Sequence, residues 1–347
     1  RSVDYYRSAV LQLSSYDEGD VSKLLGAALI GLAQGYIYLA QKYEDPTLYI
    51  LSVKLCEQSL QIDPRDPHDI TVANCKEVMA QAYQFAGNPQ KSIEILHEVL
   101  KVMRVHYGHG QSHPDIAKAL YNMADAYLAL DDIESMSLFR DALFMDGDCY
   151  GNDASQTTHA MVALGRAGLH FGQRDNNLKY IEESIPLLAK ALEIRVAELG
   201  PDHADVAEVA HVLKRAREVR TWHVCLGIKQ SANAQFSAGR LGEALKLYAQ
   251  VIQGMSECSM TEAQEELGKV HANMAECYLR LEQWEEAIKA ATAAVVANPA
   301  NCKAWFRRAK AREAQNKIEE ALADARAAAA LDLKDQMVQA LLQRLRK

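Results

Sequence analysis

Proline and glycine are scarce, with 8 and 18 residues in a chain of 347, and aromatic residues make up only 7%. Sheet-rich folds draw on turn formers and on aromatic and β-branched residues, so this shortage argues against a sandwich or barrel. Positive charge is also in deficit. The 38 Lys and Arg face 46 Asp and Glu, giving a net charge of −8 and a pI near 5.8, which excludes a broad phosphate-binding surface and hence nucleic acid as the general partner. The seven cysteines (56, 75, 149, 225, 258, 277 and 302) are odd in number and contain no CxxC pair, so neither a disulfide framework nor a zinc knuckle is expected. A reducing, cytoplasmic setting fits that pattern. The most apolar run, Leu24 to Ala33, is ten residues long and carries Gly26 and Gly31, against roughly 20 for a bilayer span, so no membrane segment is expected. The chain opens on Arg1 without a signal pattern, as expected of a segment of something longer.

Chemistry-bearing motifs are short as well. No Gly-rich phosphate loop, nucleophile elbow or catalytic carboxylate pair is present, so no enzyme and no cofactor are expected. His106, His109 and His113 lie in a Gly-containing linker without a carboxylate or Cys pattern, so no metal site is expected. Asp146, Asp148 and Gly151 match three positions of a calcium loop, but Tyr150 and Thr157 break the pattern at two others.

What remains is abundant apolar residue, 49% of the chain and chiefly Ala and Leu, which favours an all-α fold with a sizeable core. Small residues recur at fixed offsets, as expected of stacked helical hairpins that cannot bury their apolar faces alone. Ala275, Tyr278, Ala287, Ala294 and Pro299 set a pattern that returns 34 residues later as Ala309, Ala321 and Ala328. One unit earlier, Ala232, Phe236, Gly239, Ala244 and Tyr248 fit a start at Cys225. About nine extra residues around Ser259 to Leu267 are expected to lengthen the second helix of that unit. Met337, Val338, Leu341, Leu342 and Leu345 form the stripe of a capping helix.

These spacings resemble the tetratricopeptide repeat (TPR). That resemblance implies an all-α, right-handed superhelical array of about seven helix-turn-helix repeats closed by the capping helix. Upstream, the pattern is looser: Ala33, Tyr36 and Pro64; Ala80, Tyr83 and Gly87; Ala124 and Tyr127; Gly165 and Gly172. Four units spaced 41 to 47 residues apart imply longer loops or longer helices. The segments 110–117 and 199–206, with Tyr121-Asn122-Met123-Ala124, resemble kinesin light chains. Repeat character changes near Glu218 to Val224, so the expected division is 1–222 and 223–347, without a flexible linker.

Lys229 and Asn233 stand at i,i+4, as do Lys303 and Arg307, with Asn273 on the helix between, so five polar side chains would line the first-helix face of three repeats. This set resembles the two-carboxylate clamp of Hsp90 and Hsp70 cochaperones, nearest to the immunophilin branch. The resemblance implies that Lys229, Asn233 and Asn273 hold the terminal carboxylate of a tail ending Glu-Glu-Val-Asp, with Lys303 and Arg307 completing the site and Phe236 and Arg308 as auxiliary contacts. Arg308, Lys310 and Arg312 are expected to add a local basic field. The upstream registers carry Glu77 and Gln81 in place of Lys and Asn, and His159 and Ala163 in place of Lys and Arg. Only Asn122 matches, at the register of Asn273. The N-terminal repeats are therefore expected to bind a different protein, with a kinesin-light-chain-like cargo adaptor, or the repeat part of a larger enzyme such as a peptidyl-prolyl isomerase, as the alternative readings.

Overall fold

The computed structural model describes residues 2–14, 19–62, 66–256, 258 and 261–346; Pro64 of the first upstream repeat and Ser259 of the inserted stretch lie outside them. Among the described residues there are sixteen helices and no strand. In the N-terminal unit, Arg1–Leu213, α1 (Ser2–Leu13) packs on α2 (Gly19–Tyr43). Four hairpins follow: α2 with α3 (Thr47–Ile62), α4 (Ile70–Phe85) with α5 (Pro89–Tyr107), α6 (Pro114–Ala129) with α7 (Glu134–Tyr150), and α8 (Thr157–Arg174) with α9 (Leu178–Leu199). The C-terminal unit, Lys214–Lys347, begins within α10 (Ala204–Ser237). It continues through α11 (Leu241–Met255), α12 (Thr261–Arg280), α13 (Trp284–Ala297), α14 (Cys302–Ala314), α15 (Ile318–Leu331) and α16 (Gln336–Leu345). Its compact boundary falls between Leu213 and Lys214, whereas the change of repeat character in the sequence suggested residue 222. The segment Glu218–Val224 is helical.

Each of the seven hairpins reverses through one residue of positive φ: Glu44, Gly87, Asp131, Asn176, Gly239, Glu282 and Asn316. Gly, Asn and Asp enter this region readily, so five of the turns are legible in sequence, while Glu44 and Glu282 are not marked by residue type. The upstream repeats exceed 34 residues because helices lengthen: α5 has 19 residues and α9 has 22. Two of their linkers share a cap. His113 Nδ1 accepts from the Asp115 amide and His203 Nδ1 from the Asp205 amide, both at 3.2 Å, so these imidazoles start α6 and α10. His113 also stacks on Tyr107 at 3.4 Å. Asp146 and Asp148 lie inside α7, which rules out a calcium loop there.

The N-terminal core is built from Leu96, Val99, Met103, Leu120, Phe139 and Phe171, all essentially without exposure. Burying each such side chain contributes about 1.5–3 kcal/mol. Gly165, Gly168 and Gly172 let α9 approach α8, since a Cβ at Gly165 would sit 2.6 Å from Leu188 Cγ and one at Gly172 2.5 Å from Ile181 Cγ1. The helical stretch Val21–Tyr43 of α2 is long and apolar enough to cross a bilayer by length and composition, which the count of ten residues understated. Gly26 and Gly31 do not interrupt it. The same helix buries Ala33, Ile37 and Ala40, and its carbonyls at Ala33 and Gly26 accept from Ser52 and Ser59 of α3 at 2.9 and 3.0 Å.

Two further expectations are corrected in the C-terminal unit. The extra residues before Gly268 extend the first helix of the following repeat, α12, and not the second helix of the preceding one; Ala263 and Leu267, both buried, anchor the extension. On α16, Val338, Leu341, Leu342 and Leu345 are buried against α15 residues, but Met337 is 65% exposed and lies off the stripe.

Candidate peptide-binding face of the C-terminal unit

The first helices α10, α12 and α14 are linked side by side through polar side chains. Tyr248 donates its hydroxyl to Asn233 Oδ1 at 2.6 Å, and Asn273 Nδ2 donates to the same oxygen at 3.3 Å. Tyr248 is fully buried, and burial pushes its phenol above the usual range, so it remains a donor at neutral pH. Arg307 Nη1 donates to the Ala272 carbonyl at 2.7 Å, one residue before Asn273. Four of the five residues assigned from sequence, Lys229, Asn233, Asn273 and Arg307, thus sit in three neighbouring clusters that tie α10 to α12 and α12 to α14.

Two carboxylates of α12 hold the cations on either side. Glu266 of the α12 extension takes Lys229 on one oxygen and Lys269, at 2.6 Å, on the other. Burial opposes ionisation of Glu266, but the two lysines outweigh it and hold the carboxyl below its ordinary range. Glu276 accepts from Arg307 Nε at 3.1 Å and from Arg280 Nε at 3.2 Å. Arg280 in turn lies over the Phe236 ring at 4.4 Å, so Phe236 seats a cation and packs on the core of this unit. Lys303 is different. It is exposed on α14, one turn before Arg307, and among the described residues it has no ion-pair partner.

Arg308 does not join this face. It is 9% exposed, and its guanidinium grips Asp324 of α15 through Nε at 2.9 Å and Nη2 at 2.8 Å, while Nη1 reaches Thr292 Oγ1 at 3.2 Å. Successive helix residues point about 100° apart, which sends Arg308 into the α14/α15 hairpin when Arg307 faces α12. Arg312 is likewise held by Asp324 at 2.6 Å and by Glu320 at 3.1 Å. Of the expected basic field, both of these charges are compensated within the hairpin.

The N-terminal unit spends the corresponding positions on packing. Glu77, 4% exposed, accepts from Asn122 at 2.9 Å and pairs with Lys118 at 3.2 Å. Burial raises the Glu77 carboxyl above its usual range despite Lys118 and Asn122. A cavity of about 370 Å³ lies beyond, bordered by Tyr121, Asp125, His159, Arg166 and Arg195. Arg195 is 8% exposed and donates through Nε to Thr158 at 3.2 Å. Ala163 borders the same cavity. Nothing in the sequence marked Arg195, which comes from a second helix and not from the inspected first-helix register.

A bonded row of first-helix side chains on a stack of hairpins defines a helical-repeat interaction module. Three segments, residues 72–115, 170–205 and 273–335, match models of the tetratricopeptide repeat, and both units carry such repeats. Human mitochondrial import receptor subunit TOM70 is 36% identical over 104 residues, which is 30% of this chain and 16% of the receptor. The chain therefore spans about a sixth of that relative's length. The second TPR domain of human RPAP3, solved in complex with the HSP70 peptide SGPTIEEVD, is 25% identical; the match covers 35% of this chain and 95% of the domain at a TM-score of 0.32. The TPR2AB domain of yeast Sti1, solved in complex with an HSP90 peptide, is 16% identical and covers 80% of this chain and 99% of its own at 0.37.

Proposed function

We propose that the C-terminal unit is a cochaperone-type module that holds the acidic Glu-Glu-Val-Asp tail of Hsp90 or Hsp70, and that the N-terminal repeats engage a second protein. The observation that carries this reading is that Asn273 of α12 bonds Asn233 of α10 while Lys229 and Arg307 bond the same α12 from either side, with Lys303 exposed on α14 one turn before Arg307. Two carboxylates leaving water need charge-assisted donors, each contributing about 1.5–3 kcal/mol. The face supplies three cations and two amides, and the Nδ2 group of Asn233 donates to no other side chain among the described residues. The protein acts by binding and not by catalysis, and its seven free thiols suit a reducing cytoplasm.

The test is Lys303→Glu in the whole chain, titrated by calorimetry with a peptide ending Glu-Glu-Val-Asp. Binding is expected to disappear while the far-ultraviolet dichroism stays unchanged, because Lys303 is exposed and carries charge without packing. Equal affinity would sink the assignment. A second reading, an adaptor in which the N-terminal repeats do the main work as in kinesin light chains, is favoured by the cavity beside Arg195. Unaltered association of a client with the Lys303→Glu chain would support it.

A further inference from the structure

The cation positions of the proposed tail site are already paired inside the chain. Glu266 holds Lys229 together with Lys269, and Glu276 holds Arg307 together with Arg280. The glutamate side chains are 14% and 21% exposed, and Lys229 and Arg307 17% and 15%, so these pairs are poorly screened by solvent. The arrangement is paired by helix: both glutamates stand on α12, and each bridges one cation of α12 itself to one of a neighbouring first helix. We propose that Glu266 and Glu276 are internal counter-carboxylates that occupy the two anion positions until a ligand with two carboxylates displaces them, which makes them the residues that set affinity and selectivity. The inference rests on the carboxylate-site reading above.

Selectivity follows from counting charges. A ligand with one carboxylate can displace one glutamate but leaves the other pair in place, and it exchanges one anion for another at nearly the same cation. A tail that brings a terminal carboxylate and an acidic side chain together can relieve both positions and also reach Lys303, which has no internal partner among the described residues. Discrimination between doubly and singly carboxylated ends is therefore built into the competition.

The experiment uses the whole chain and two peptides ending Glu-Glu-Val-Asp, one with a free terminal carboxylate and one amidated. Glu266→Gln and Glu276→Gln keep the side-chain shape and a neutral acceptor. Each is expected to bind the free-acid peptide about tenfold more tightly, equivalent to about 1.4 kcal/mol of removed competition, and to narrow the gap between free and amidated peptides. Glu319→Gln, exposed on the second helix α15 with no bond to these pairs, makes the same change of net charge and is expected to leave affinity within about twofold. If wild type binds and Lys303→Glu does not, yet Glu266→Gln and Glu276→Gln bind no better or worse, the glutamates position the cations instead of competing, and the inference is overturned. If no variant binds either peptide while all remain helical, the tail-site reading falls and takes the inference with it.

Discussion

Replacing Asp324 by Ala removes the buried carboxylate shared by Arg308 and Arg312 inside the α14/α15 hairpin. The Asp324 side chain is 3% exposed and accepts three bonds, two from Arg308 at 2.9 and 2.8 Å and one from Arg312 at 2.6 Å. Arg312 retains Glu320 at 3.1 Å, but Arg308, with its side chain only 11% exposed, would be left with Thr292. Breaking a buried pair by deleting one partner costs about 3–5 kcal/mol, because the other charge remains desolvated. With a urea dependence of about 1–3 kcal/mol per molar for a unit of this size, the unfolding midpoint should fall by at least about 1 M. All three tryptophans, Trp222, Trp284 and Trp305, lie in the C-terminal unit, so intrinsic fluorescence reports its unfolding directly. A loss below about 1 kcal/mol would refute the reasoning, since it would mean Arg308 finds a comparable environment without Asp324. The same variant should gain no affinity for an acidic peptide, because freeing Arg308 does not turn it toward α12.

Glu77→Gln should stabilise the chain at neutral pH. The folded carboxyl is raised, so its contribution is fully present below the unfolded value near about 4.3 and is lost as pH rises through the folded value. The melting-temperature advantage of the Gln variant should therefore grow from pH about 4 to 7, and a constant advantage would refute this sign. A fragment of residues 214–347 should be more stable than one of residues 223–347, which loses Trp222 from the cluster of Cys225, Tyr248 and Val251; the difference should be on the order of 2 kcal/mol by denaturant titration followed by dichroism.

The helical class, the hairpins and the position of Lys229, Asn233, Asn273 and Arg307 on first helices were legible because they depend on short-range spacing. A small residue every turn or two specifies where helices touch, and i,i+4 pairs share a face whatever the neighbours do. Arg308, expected from the resemblance as an auxiliary contact, faces the α14/α15 hairpin instead, because the residue after Arg307 points about 100° away from it. Glu266 and Glu276 were missed for a related reason: their partners are 37 and 31 residues away, and those pairs form only once the first helices are set at a particular register. Glu266 was further hidden by the inserted residues, whose attachment to α12 and not to α11 cannot be told from a 34-residue period. The membrane criterion failed on α2 because two glycines were treated as interruptions, though both are helical.

The extension at the start of α12 also bears on how such a module can change over time. Residues inside the repeating frame answer to two neighbours at once, so a substitution there disturbs the stack on both sides. The added turns answer mainly to Ala263 and Leu267, and Glu266 projects from them onto Lys229. A change of length or charge in this stretch would therefore reach Lys229 through Glu266 while leaving the turns of the hairpins as they are.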